Sequence, residues 1–503
     1  MSDFFGNMQT QLNQRKTFTA NGAVAYESSG KALLDFNFAT TALRGESEKQ
    51  IEDMFSRAFY EEPHVAVKYL FWLRDIRGGN GERRIFRVCM KWLTDVRPEI
   101  AKAVVNLVPE YGRWDDLWVL LDSGVKQDVL DLAGKQLDAD YLAVKQGKPL
   151  SIASKWFPSS NASSKETRRL ANIFINAWGI TPKQYRKTLS YLRKQLNLVE
   201  TKMSSGKWGE INYESVPSKA NLIYKDAFMR HDEERRKKYL DSLVRGEAKI
   251  NSGTNQPHEI VGKYVNTGWY RGVRDYDEAL EQLWKALPDV TIGNTVVVAD
   301  SSGSMTISFG GTVRPFDVAM ALAVYMSEHN SEEWKDKIIS FSDNPQLLSF
   351  ENCKNLREKI KYFMSTSEIA STNIEATMML ILQTAISNNC SQEDMPKTVL
   401  ILSDCQFNSA ASFTRDTLFE DIARRFKANG FVMPKIVFWN LSGDVNNTIP
   451  MQQNENGLVL CSGFSVQLMN MVMSGKTDPY EALLDTINAP RYDAVEKALT
   501  GVI

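Results

Sequence analysis

From residue 46 onward, apolar positions recur every three to four residues. Ile51, Met54, Phe55, Ala58 and Phe59 share one face, and Val65, Tyr69, Trp72 and Leu73 another, which predicts two amphipathic helices. Gly78-Gly79-Asn80-Gly81 breaks the second, and the pattern resumes over 82–94. A short helix is predicted at 101–108, stopped by Pro109. Helical periodicity returns at 114–121, 125–145, 165–178, 182–198, 218–229 and 233–244. Paired helices with short loops fit an α-solenoid or repeat-like bundle, although no fixed sequence period emerges. Residues 1–45 read as a partly irregular arm.

The pattern changes after Pro288. Apolar runs at 295–299, 398–403, 435–440 and 458–461 predict buried strands, and 337–341 a further strand with a hairpin partner at 346–350. Helical patterns at 315–328, 352–363, 374–387, 413–429 and 465–473 lie between or after them. Such alternation predicts a doubly wound, mostly parallel sheet, in which ligands sit at the carboxyl ends of the strands. The expected fold is therefore α + α/β: an N-terminal arm at 1–45, an all-helical repeat-like domain at 46–289 and a Rossmann-like domain at 290–503.

Composition narrows this reading. The 503 residues are 43% hydrophobic and 24% charged, the proportions of a folded globular chain. The five cysteines form no CxxC pair and the four histidines no HxxxH, so neither a disulfide framework nor a His-rich metal enzyme is legible. No secretory leader or membrane span is read, which makes the cytoplasm the expected location. A net charge of −1 hides an asymmetry: residues 151–250 hold 20 Lys+Arg against 10 Asp+Glu, and residues 301–503 hold 16 against 23. The basic side chains cluster at Arg168-Arg169, Lys183-Arg186-Lys187, Arg193-Lys194 and Arg235-Arg236-Lys237-Lys238. Clustered cations are the footprint of phosphate binding; the competing reading is solvated helix faces paired with neighbouring carboxylates.

Three loops fall at predicted strand ends or helix starts: Asp300-Ser301-Ser302-Gly303-Ser304, Ser371-Thr372-Asn373 and Ser403-Asp404. Two carboxylates and several hydroxyls are hard oxygen donors suited to Mg²⁺. The same loops lack a phosphatase DxDx[TV] pattern, a G-x-S-x-G elbow, a GxxxxGK[ST] loop and a nearby histidine base, so no reaction and no small-molecule substrate is evident. The set Asp300, Ser302, Ser304, Thr372 and Asp404 resembles the metal-ion-dependent adhesion site of von Willebrand factor A domains. That resemblance implies Mg²⁺ or another divalent cation held by these five residues, with a position open for an acidic partner.

The first half carries its own wording: Leu73-Arg74-Asp75-Ile76-Arg77-Gly78-Gly79-Asn80-Gly81-Glu82-Arg83, then Val108-Pro109-Glu110-Tyr111-Gly112-Arg113-Trp114-Asp115-Asp116-Leu117, then Lys155-Trp156-Phe157-Pro158-Ser159. With these motifs the chain resembles an uncharacterised family of plants, fungi and phages that joins a helical domain to a von Willebrand A domain. That architecture is similar to the Ro autoantigen (TROVE) proteins, RNA-binding helical-repeat rings. The resemblance implies a non-enzymatic, ribonucleoprotein-type RNA binder that takes structured RNA or single-stranded ends. The cations expected to touch RNA are Arg74, Arg77, Arg83, Lys155, Arg168, Arg169, Arg186, Lys187, Arg193, Lys194, Arg235 and Arg236. Lys155-Trp156-Phe157 also offers a base-stacking triplet, whereas Arg74, Asp75, Arg77, Glu82 and Arg83 fit a structural ion-pair network equally well. The alternatives are a protein scaffold, possible in a phage or virion, that binds an acidic ligand through Mg²⁺.

Overall fold

A short antiparallel hairpin, β1 (Lys16–Phe18) with β2 (Val24–Tyr26), precedes the first helix, Ala32–Leu43. The computed structural model describes residues 16–18, 24–266, 272–307, 313–341, 344–366, 373–405, 418–441, 458–472, 476 and 478–503. Helices fill most of the chain up to Lys285, and a sheet follows. Its strands are β3 (Thr295–Asp300), β4 (Lys337–Phe341), β5 (Leu347–Ser349), β6 (Thr398–Ser403), β7 (Lys435–Asn440) and β8 (Leu458–Ser462), in the order β5-β4-β3-β6-β7-β8. All neighbours are parallel except β4 and β5. All six residues of β3 are buried, which explains why its sequence is a continuous apolar run and not an alternation. Pro315–Glu328 is an almost wholly buried helix for the same reason, and Pro315 stands in its first turn, where no N–H is needed. The strand order reverses between β3 and β6, and a doubly wound sheet opens its ligand crevice at such a point.

The chain divides into two compact units, one of residues 1–62 and 255–487, the other of 63–254 and 488–503. These bounds differ from the expected ones for identifiable reasons. In the sheet unit, the arm is not irregular throughout: the Thr41 N–H donates to Ser462 Oγ at 3.2 Å, and Asn440 Nδ2 to the Phe38 carbonyl at 3.0 Å, which fixes Ala32–Leu43 on the last two strands. Residues 255–289 belong there too. Glu281, buried, accepts from Leu356 N, Arg357 N and Tyr264 OH, so it caps the start of Leu356–Thr366. In the helical unit, the last residues are held by Lys68, which donates to Asn488 at 2.6 Å and pairs with Glu496 at 2.9 Å.

Two local expectations fail. Residues 114–120 form two 3-10 turns and not an α-helix. Pro109 does not end a helix: it enters the first turn of Val108–Tyr111, where its missing N–H costs nothing. No helix among the described residues is long and apolar enough to cross a membrane.

Candidate phosphate groove and candidate cation site

Helix Pro182–Gln195 begins with a capping box, in which Thr181 Oγ accepts from Gln184 N and the Gln184 side chain accepts from Thr181 N. Its inner face buries Tyr185, Leu189 and Leu192. With Tyr185 and Leu189, the helix's Arg186, Ser190, Arg193 and Lys194 line a groove of about 760 Å³ that Ser159, Ser160, Thr201, Lys202, Ser205 and Lys207 also line. Five cations there face one carboxylate, Glu210. Glu210 pairs with Lys207 at 3.0 Å, while Lys202 donates a hydrogen bond to the Glu210 carbonyl at 2.7 Å and has no carboxylate partner among the described residues. Arg193 is a peg: it donates to the carbonyls of Ser154 and Phe157 at 2.8 and 2.7 Å and to Ser159 Oγ at 3.2 Å, and so fixes the 154–159 loop as the groove's wall. Burial holds its guanidinium below the usual arginine range, with Tyr185 opposing. Lys202, Lys207 and the serine wall lie outside the paired-basic clusters that sequence reasoning followed; the lysines' five-residue spacing before a Gly-Glu turn was the available signal.

The twelve expected RNA contacts separate sharply. Arg186, Lys187, Lys194 and Arg77 are exposed. Arg186 makes one long hydrogen bond, 3.5 Å to Ser160 Oγ. Arg74 and Arg236 are buried, at 4% and 0% exposure, which removes them from any contact surface. Arg236 lies over the rings of Tyr213, Phe228 and Tyr239, with centroids at 4.9–5.3 Å, and donates to Asn221 at 3.4 Å. Arg74 joins Arg83, Arg87 and the Arg113 N–H around Asp116. Arg169 is bidentate to Asp122 at 2.8–2.9 Å and also pairs with Glu166. Arg168 donates to the Ser163 carbonyl, Arg235 pairs with Asp232 and Lys155 with Glu200. These side chains already have partners within the fold, and Arg83, Arg169 and Arg235 stay 40–45% exposed. The expected stacking triplet is likewise spent: Phe157 is buried and Trp156 lies beneath the Arg113 guanidinium at 4.3 Å.

In the sheet unit, β3 and β6 bring Asp300 and Asp404 to the crevice at the strand-order reversal. Asp300, fully buried, accepts from Ser302 N at 2.8 Å and from Ser403 Oγ, and Ser403 Oγ in turn accepts from Cys405 N at 3.0 Å. Ser403 was not among the expected ligands; it is the group that orients Asp300. Ser302 Oγ and Ser304 Oγ stand 3.1 Å apart, the separation of about 3 Å that adjacent oxygens take around an octahedral ion at ~2.1 Å. Burial, then the neighbouring charge of Asp404, push the Asp300 carboxyl up to about 7 against the hydrogen bonds from Ser403 and Ser302. A cation at this point would reverse that balance, so the donor set fits a hard divalent ion. Thr372 lies outside the described residues. No group of three or more His, Cys, Asp or Glu side chains able to hold a metal occurs among the described residues.

A family model described as Domain of unknown function (DUF2828) matches residues 19–129 and 151–290, and one described as Domain of unknown function (DUF7788) matches 294–497. A solved structure of the Ro (RSR) protein of Deinococcus radiodurans is similar at TM-score 0.45 and 12% identity, over 92% of this chain and 100% of that one. The chain is 30% identical over 512 residues to the uncharacterized protein L728 of Acanthamoeba polyphaga mimivirus, which spans 94% of this chain and 87% of the relative. On that identity and coverage, the chain belongs to the family of this mimivirus protein.

Proposed function

We propose that the chain is a non-catalytic RNA-binding protein of the cytoplasm that holds a single strand, or the unpaired end of a structured RNA, by its phosphates in the groove beside Pro182–Gln195. The observation that carries this reading is the five-to-one excess of cations in a 760 Å³ groove. Lys and Arg neutralise phosphates and release counterions, while Ser and Thr hydroxyls both donate to and accept from a ribose 2′-OH. The groove offers no paired carboxylates and no histidine for general acid–base work.

Filter binding of a nine-nucleotide RNA from 50 to 200 mM salt tests it. With about four phosphates engaged, log K should fall with log[salt] at a slope near −3, since single strands release about 0.7 counterion per contact. A flat salt profile, or no binding at 50 mM, rejects the reading.

A second reading rests on the Asp300 cluster. Asp300, Ser302, Ser304 and Asp404, with Thr372, would hold Mg²⁺ in the manner of the von Willebrand A adhesion site, and the ion would offer an acidic protein ligand a coordination position. Millimolar Mg²⁺ should raise the Tm of the wild type by a few degrees and leave Asp300→Asn unmoved. Equal shifts in both proteins would place the ion elsewhere.

A further inference from the structure

The groove occupies only one flank of helix Pro182–Gln195. Beyond its crest lies an apolar cleft of about 370 Å³ formed with helix Lys126–Lys145, with Trp178, Leu137, Ile180 and Thr188 on its walls and Asp138 at its rim. Gly134 makes room for it: a Cβ there would stand 3.3 Å from Trp178 Nε1, a tight contact that would push the indole outward by a few tenths of an ångström. A glycine inside a helix costs about 1 kcal/mol relative to alanine, and here the vacancy seats a ring.

One turn further along each helix stand Tyr141 and Tyr191. Both are 40% exposed, their centroids 5.6 Å apart, with Lys145 over the Tyr141 ring at 4.6 Å.

At 100° per residue, Arg186 and Arg193 lie on one flank and Thr188 on the other, with Lys187, Lys194 and then Tyr191 over the crest between them. Lys187 and Lys194 are exposed and have no carboxylate partner among the described residues. A cationic track therefore leads from the groove, over the helix, to the aromatic cleft. A helix is about 10 Å across, which an extended strand spans in about two nucleotides.

We infer that the Trp178 cleft, with the Tyr141–Tyr191 pair one turn beyond it, receives unpaired nucleobases of the same RNA strand whose phosphates occupy the groove. This rests on the RNA reading above and adds the bases as a second, sequence-tolerant anchor. Stacking on aromatic rings suits any base, because every base presents a π-face. The Asp138 carboxylate would accept an N–H from a base edge, and each of the four bases offers one.

The test uses the full chain with two nine-residue strands of equal charge, one adenylate RNA and one abasic ribose-phosphate strand. The adenylate strand should bind about tenfold or more tighter. Tyr141→Ala with Tyr191→Ala should erase most of that advantage and leave the abasic strand's affinity unchanged. Thr188→Phe, which puts a ring into the space that Thr188 and Trp178 line, should do the same. Equal affinity of both strands for the wild type overturns the cleft while leaving the groove intact. Equal losses on both strands in the tyrosine variant also overturn it. Failure of both strands to bind overturns the cleft and the RNA reading together.

Discussion

Asp116→Ala should destabilise the helical unit more than any substitution of an exposed cation, by about 3–5 kcal/mol, the cost of breaking a buried ion pair from one side. The Asp116 carboxylate has 0% side-chain exposure and gathers Arg74 at 2.8 Å, Arg87 at 2.7 Å and Arg83 at 3.3 Å, with the Arg113 N–H at 2.9 Å. Without it, Arg74 remains buried and uncompensated. Gly112 stands at this point because a Cβ would meet Asp116 Oδ2 at 2.6 Å. Burial pushes the Asp116 carboxyl up, but the charges of Arg74 and Arg87 outweigh it and hold the group below the usual carboxylate range. A depressed carboxyl contributes stability that is present above its unfolded value and lost as pH falls through the folded one. The wild type should therefore lose stability below about pH 4, and Asp116→Asn should flatten that limb. For a unit of this size, thermal melting should register the alanine variant as a fall of about 10 °C.

Regular elements were the most legible part of the sequence. The helix at 315–328, the helix at 374–387 and the strands at 337–341, 398–403 and 435–440 coincide with their apolar runs, because each is buried along most of one face or both. The unit boundaries were not legible, since they depend on long-range hydrogen bonds such as Thr41 to Ser462 that leave no local pattern. In the candidate cation site, Asp300, Ser302 and Asp404 stood out by their spacing, but Ser403 did not, because it hydrogen-bonds Asp300 from the neighbouring strand. In the helical unit, clustering of Arg and Lys overstated the free charge. Arg236 and Arg74 serve the interior, and Lys237 and Lys238 are answered by Glu233 and Glu234 four residues earlier. Net excess in the sequence became usable charge where the segment 201–207 brought Lys202, which meets a carbonyl and no carboxylate, while Lys207 is answered by Glu210.

The second large effect follows from that distinction. Reversal of Arg186, Lys187 and Lys194 to glutamate should weaken RNA binding on the order of 100-fold at 50 mM salt and lower the salt slope by about 2, since three phosphate contacts are removed. None of the three pairs with a carboxylate among the described residues, so the melting temperature should stay within about 2 °C.

The matched control is Lys237→Glu with Lys238→Glu and Arg245→Glu, the same charge change on the same unit at cations already paired with Glu233 at 2.5 Å, Glu234 at 2.7 Å and Glu247 at 2.8 Å. Fluorescence anisotropy of one labelled nine-nucleotide RNA against the wild type and the two variants decides the matter. The groove account predicts a collapse of affinity in the Arg186, Lys187, Lys194 variant and a change of less than about threefold in the control. Equal losses in both would show that only net charge matters and would contradict a binding site beside Pro182–Gln195.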